Sequence, residues 1–195
     1  MPHHTYFSPN LYICEQTTKL MTTTTPTRLS QFTIRKATLK DLPSIMPIYD
    51  KAKELMRRAG NPHQWNSDYP SIGLIEEDIR EGYCHVCLTP DGRVCGTFWF
   101  GIIEEPTYTY IEDGAWLHEH PYGVIHRLAS DGEVKGLGRQ VFEWALAQYP
   151  NIRVDTHRDN HVMQHIVTSL GFEYCGIIYV ADGSPRLAYQ RDDDR

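Results

Sequence analysis

Apolar residues recur along this chain with two periods, and each change of period marks an element boundary. Residues 32–37 read as a short strand. Thr38 with Asp41 is a helix-start pair, and Pro43 suits the first turn. Leu42, Ile45, Met46, Tyr49, Ala52 and Met56 then share one helical face, and Gly60 closes it. Pro47 should kink this helix or delay its start. Residues 61–70 form a loop rich in aromatic and polar groups. A second helix carries Leu74, Ile75 and Ile79, with Glu76, Glu77 and Asp78 in its first turns. Strands at 83–88 and 94–100 flank the turn Pro90-Asp-Gly92 and predict a hairpin.

Residues 104–122 are a long connection, too rich in aromatic side chains to be read as spacer alone. After it come an apolar strand (124–129), a glycine turn, and a helix with Leu137, Val141, Trp144, Ala145 and Tyr149 on one face. A strand over 151–157, a short helix over 160–170 closed by Gly171, and strands over 174–180 and 186–190 complete the pattern. There is no internal repeat. Strand, two helices, three strands, helix, strand, helix and two strands make a mixed α/β layer rather than a repeating βαβ unit.

The chain of 195 residues is 41% apolar, enough for one domain with a packed core. Its net charge of -6 and the absence of a basic patch exclude nucleic acid as the expected partner and favour cationic or amine-bearing small molecules. Cys84 and Cys87 have zinc-like spacing, but no second pair completes four ligands, so no metal is expected. Residues three apart in a strand point to opposite faces, and with Cys14, Cys95 and Cys175 they read as reduced thiols. No apolar run approaches a membrane span, and no leader pattern precedes the domain, so the expected location is cytoplasmic. Residues 1–31 read as a tail, poorly ordered or packed on the domain through Tyr6, Phe7, Leu11 and Tyr12. Met21 offers a second start, which would make the first twenty residues an extension.

The candidate chemistry gathers at the glycine turn. Gly136 and Gly138 stand where a strand hands over to a helix, and free N–H groups there suit a phosphate or pyrophosphate. A tight strand-to-helix turn without a ligand would use the same glycines. A Walker-type loop is absent, and Val141 stands where a dinucleotide fingerprint needs its third glycine. Glu133-Val-Lys-Gly-Leu-Gly138 instead resembles the Q/R-x-x-G-x-G/A loop of GNAT-type N-acetyltransferases, with Glu133 departing from the pattern. The opening Ile34-Arg35-x-Ala37-Thr38-x-x-Asp41, the run Val154-Asp-Thr-His-Arg-Asp-Asn160 and Leu170-Gly171-Phe172 are similar to the family as well. Asp155-Thr-His, Met163-Gln and Tyr174-Cys-Gly-Ile-Ile-Tyr179 resemble a bacterial group within it.

The resemblance implies the α/β GNAT (acyl-CoA N-acyltransferase) fold over residues 32–191, with an acidic end at 192–195. Its central sheet is mixed and mostly antiparallel, its fourth and fifth strands splay, and helices cover both faces. It implies acetyl-CoA as co-substrate and a small-molecule amine as acceptor. A binding module without transfer, or transfer to a protein or peptide amine, are the alternatives. A homodimer is compatible with the sequence. By the same resemblance, backbone groups of Leu128 and Ala129 would hold the pantetheine and polarise the acetyl carbonyl. Main-chain groups of Val134, Lys135, Gly136, Leu137, Gly138 and Arg139 would hold the pyrophosphate, the Lys135 and Arg139 side chains adding charge. Asn160 would touch the cofactor arm or simply cap its helix.

His126 is the first candidate base, since an imidazole titrates near neutrality, with Asp155 and His157 able to orient or replace it. Glu112 and Asp113 are the alternatives. Val167 aligns with the position where the family often has an acidic Tyr, leaving Tyr174 or Tyr179 as substitutes. Trp65, Tyr69, Trp116 and Tyr122 could form an aromatic wall for the acceptor, with Glu112 or Asp113 attracting its amine.

Overall fold

The computed structural model describes residues 32–66 and 68–194. The expectations placed on residues 1–31, including Met21 and Cys14, lie outside the described residues. Strand β1 (Thr33–Lys36) leads through a 3-10 turn into α1 (Leu42–Arg58), then α2 (Ile72–Arg80), β2 (Cys84–Leu88) and β3 (Val94–Ile102). After a 3-10 turn at Pro106–Tyr108 come β4 (Gly123–Ser130), α3 (Leu137–Gln148), β5 (Asn151–Thr156), α4 (His161–Ser169), β6 (Glu173–Tyr179) and β7 (Pro185–Asp192). The final strand therefore runs through Asp192, whose carboxylate lies 2.7 Å from His118 Nε2.

The seven strands form one sheet in the order β1-β2-β3-β4-β5-β7-β6. Every neighbouring pair is antiparallel except β4 and β5. That parallel pair is registered only at Gly123–Ile152 and Val124–Arg153. Beyond Val124 the two strands part, which leaves the backbone edge of β4 facing open space. Such unpaired groups need a partner, so the splay is where a ligand can be held by main chain alone.

Two layers of side chains cover the sheet. On one face Phe98 and Val154 of the sheet pack with Val141, Phe142 and Ala145 of α3 and Val167 of α4. On the other, Val86 and Ala129 of the sheet pack with Ile45, Ile48 and Tyr49 of α1 and Ile75 of α2. Each such side chain contributes about 1.5–3 kcal/mol by leaving water. Cys87 belongs to the first layer and Cys84 to the second, as strand alternation requires. A third cluster, around Trp99, Tyr108, Trp116 and Tyr122, seats the 104–122 connection against the sheet.

Asp41 caps the entry to α1 by accepting from the Thr38 N–H at 2.8 Å, and it takes a forked pair from Arg35 at 2.7 and 2.8 Å. Helix α1 starts at Leu42 and continues through Pro47, so Pro47 does not delay it. Its missing N–H would have faced the carbonyl of Pro43 in the first turn, where one lost bond is tolerated. Asp78 is not a solvated charge near the start of its helix. It is buried near the end of α2, and its carboxylate meets Arg127 at 2.7 Å.

Candidate active site

A cavity of about 800 Å³ opens where β4 and β5 separate. Its floor is the β4 segment from Ile125 to Ser130, one wall is the start of α3 and α4, and the opposite wall is the loop at 61–69. The floor is not a regular strand. Thr97 pairs with Ala129 and Trp99 with His126, so Phe98 faces both Arg127 and Leu128 in a bulge. Arg127 takes a φ of 52°, a strained choice for a long side chain. The Asp78 carboxylate at 2.7 Å and the Tyr69 hydroxyl at 3.4 Å hold it there.

His126 lies in the floor between two carboxylates. Its Nε2 is 2.9 Å from Glu105 Oε2, and its Nδ1 is 3.8 Å from Asp155 Oδ1. The other Glu105 oxygen accepts from the Thr107 N–H at 3.2 Å and its hydroxyl at 2.9 Å, so Glu105 also caps the 3-10 turn. Burial alone would raise the Glu105 carboxyl. The His126 and Thr107 hydrogen bonds outweigh it and hold the group down at about 2. Asp155 accepts from the Tyr108 hydroxyl at 2.8 Å. Burial, then the neighbouring Asp155 charge, pushes the Tyr108 phenol far up, so it stays a donor. The two carboxylates and the imidazole line the cavity, and the phenol fixes Asp155 from the buried side.

The glycine turn faces the same space. Gly136 has φ 75° as the residue before α3, and nothing but the tip of Gln140 comes within 4.0 Å of where its Cβ would be. A Cβ at Gly138 would lie 3.0 Å from Ile166 Cδ1 and 3.8 Å from Leu128 Cδ2. Main chain therefore approaches the cavity bare at both positions, with the unpaired N–H groups of the first helical turn behind it. Asn160 does two jobs: its oxygen caps α4 through the Met163 N–H at 3.0 Å, and its amide donates to Gln64 at 2.8 Å.

Most of the residues singled out from the sequence line this cavity. His126, Asp155, Leu128, Ala129, Val134, Gly136, Leu137, Gly138, Asn160, Trp65 and Tyr69 all do. Others are not brought to it. Arg139 reaches away to Ser169 Oγ at 2.8 Å and Glu143 at 3.3 Å, fastening α3 to the end of α4. Lys135 is exposed outside the lining. His157, just past β5, turns to Asp159 at 3.5 Å, and burial together with the Arg186 charge lowers its pKa. Glu112 bridges to Ile177 on β6, and its carboxylate takes the Tyr179 hydroxyl. Trp116 and Tyr122 clasp the buried Arg153 guanidinium, at 4.3 and 4.0 Å from their ring centres. They serve the core, and of the four aromatic residues only Trp65 and Tyr69 line the cavity.

Val167 of α4 is fully buried in the core, and Tyr174 and Tyr179 lie outside the cavity lining. Glu133, the departure in the loop pattern, pairs with Arg93 at 2.9 Å and ties the turn to the β2–β3 hairpin. The sequence reading passed over Glu105, Tyr108, Arg127 and Arg186. For Glu105 a signal existed, an acidic residue directly before a proline that opens a helical turn.

The fold is shared with bacterial acetyltransferases of known structure. No protein-family model and no curated protein matches the sequence. Among solved structures, a GNAT family acetyltransferase from Streptococcus agalactiae is 32% identical, with a TM-score of 0.76 over 84% of this chain and 96% of that one. A GNAT family acetyltransferase from Listeria monocytogenes is 20% identical, with a TM-score of 0.62 over 83% and 94%. A phosphinothricin acetyltransferase of the GNAT superfamily from Sinorhizobium meliloti, solved in complex with AcCoA, shares the fold at 17% identity, with a TM-score of 0.54 over 83% and 88%. The chain belongs to the GNAT family of acetyltransferases. Among the described residues no helix is long and apolar enough to cross a membrane.

Proposed function

We propose that the protein transfers an acetyl group from acetyl-CoA to the amine of a small molecule by direct attack on the thioester. The observation that carries this reading is the Glu105–His126–Asp155 array, placed on the floor of a cleft whose far wall is the bare glycine turn. Acetyl transfer needs a deprotonated amine, an in-line approach and a donor for the developing oxyanion.

The Nε2–H of His126 donates to Glu105, which holds the ring and leaves Nδ1 to accept the amine proton, directly or through one water. Asp155, fixed by Tyr108, stands 3.8 Å from Nδ1 and stabilises the imidazolium that forms. Main-chain groups at Leu128 and Ala129, on the stretch of β4 that β5 leaves open, face the acetyl oxygen and pantetheine. Those from Val134 to Arg139 receive the pyrophosphate. Trp65 and Tyr69 flank the acceptor. CoA thiolate is a fair leaving group, so no tyrosine acid is required at Val167.

The test is calorimetric titration with acetyl-CoA, followed by release of free CoA with small amines and with peptides. Binding plus release with small amines supports the reading. Binding without release from any amine would make the protein an acyl-CoA-binding module, and release with peptides alone would move the acceptor to a protein amine.

A further inference from the structure

Two guanidinium groups enter the cavity wall among the described residues, and their surroundings differ. Arg127 is neutralised by Asp78 at 2.7 Å. Arg186 is only 7% exposed, yet all its partners are neutral oxygens: Ser184 Oγ at 3.0 Å, the Pro185 carbonyl at 2.9 Å and the Gln64 carbonyl at 3.2 Å. Asp182 also lines the cavity, but it is exposed and makes no direct ion pair with Arg186: its Oδ1 takes the Ser184 N–H and hydroxyl at 2.9 and 2.5 Å, and it meets the guanidinium only through that hydroxyl. A buried cation without a counter-charge is costly, and a cavity-facing one is most simply compensated by an anionic ligand.

The position of Arg186 decides which ligand. Leu187 packs into the layer under α3 and α4, so Arg186 faces the opposite side of the sheet, with Ala188. Ala188 is the direct neighbour of Asp155 across β5 and β7. Arg186 is thus a diagonal neighbour of Asp155, about 7–8 Å away on the same face. The glycine turn, by contrast, opens α3 on the other face. The lone positive charge belongs to the acceptor half of the cavity and stands one small molecule away from the candidate base.

We propose that the acceptor is an amino acid or similar small amine bearing a carboxylate, which Arg186 binds while the amine meets His126. This rests on the transfer reading above and names its substrate class. The Arg186 fork, held by Gln64, Ser184 and Pro185, presents its remaining N–H groups to the carboxylate, the geometry for which arginine is suited. The Gln64 contact also links occupancy of this site to the 61–66 loop that carries Trp65.

The common L-amino acids, each beside its carboxamide, test this with wild type, Arg186→Met and Arg186→Lys. Two readouts are taken: kcat/KM for CoA release, and calorimetric binding of the acid and the amide in the presence of CoA. Wild type should prefer at least one acid over its amide by about 100-fold. Arg186→Met should bring that ratio close to one, Arg186→Lys should keep part of it, and acetyl-CoA affinity should hold in both. Transfer without preference for the acid overturns this inference and leaves acetyl transfer intact. Acid-selective binding without transfer does the reverse. A fall in acetyl-CoA affinity with the ratio unchanged would assign Arg186 to the cofactor or to the loop, and binding of neither acid nor amide would overturn the proposal.

Discussion

Glu105 Oε2 and His126 Nε2 lie 2.9 Å apart although the residues are 21 positions apart in the chain. The pair spans the junction between the 104–122 connection and β4, so it forms only when that connection is seated on its aromatic cluster. Glu105→Gln keeps the shape and removes the charge. It should lower kcat by about 10- to 100-fold with acetyl-CoA affinity unchanged. A variant that turns over at the wild-type rate would remove Glu105 from the mechanism.

His126→Ala should cost more, about 100-fold or beyond in kcat/KM, and should change the shape of the pH profile. Asp155→Asn leaves the imidazole and the Tyr108 contact in place and should fall between the two. If His126→Ala kept both rate and profile, the base would have to be sought elsewhere in the cavity.

Acid titration separates the carboxylates by sign. Glu105 is held at about 2 against an ordinary 4.5, so it stabilises the fold above about 4.5 and loses that contribution as pH falls toward 2. Asp41, held at about 2 chiefly by its Arg35 hydrogen bond, acts in the same direction. Asp78 is opposite: burial outweighs the Arg127 charge and raises it, so its contribution is present below 3.8 and lost as pH rises. The melting temperatures of wild type and Glu105→Gln should therefore converge between about pH 4.5 and 2. A constant gap across that window would show that the Glu105 charge adds nothing to stability.

Gly136→Val forces a β-branched residue to φ 75°, and Gly138→Val pushes a side chain onto Ile166 and Leu128. The first should cost on the order of 1–2 kcal/mol in backbone strain alone. Both should weaken acetyl-CoA binding by at least about 10-fold, since they fill the space main chain leaves for a ligand. Unchanged affinity in both variants would move the cofactor away from this turn.

Periodicity made the fold legible because each buried face is carried by neighbours within one element. Val141 and Ala145 announce α3, and the hairpin turn announces β2 and β3. The candidate array at the cavity floor was only half legible for the opposite reason. His126 and Asp155 sit on strands that the pattern reveals. Glu105 and Tyr108 reach them from an irregular segment, where no period says which way a side chain points. Trp116 shows the cost of reading composition there, since its ring is spent on Arg153. Arg186 was passed over because nothing in the pattern says that its partners, among the described residues, are neutral oxygens.

The Asp78–Arg127 pair is where stability and site geometry are most tightly joined. Arg127 carries the positive φ of the β4 bulge, and its side chain is buried between α2 and the Trp99 ring. Asp78→Ala would leave that guanidinium buried without a partner, and losses of about 3–5 kcal/mol are usual for such a break. Asp78→Asn keeps one acceptor for Arg127 and should lose less. Because the bulge aims the floor residues next to it, the Asn variant should also show a reduced kcat while remaining folded at room temperature. Urea unfolding of the three proteins, read beside their turnover, checks both links. A stable Ala variant would mean Arg127 finds water or another carboxylate, and full turnover in the Asn variant would mean the bulge keeps its shape without this charge.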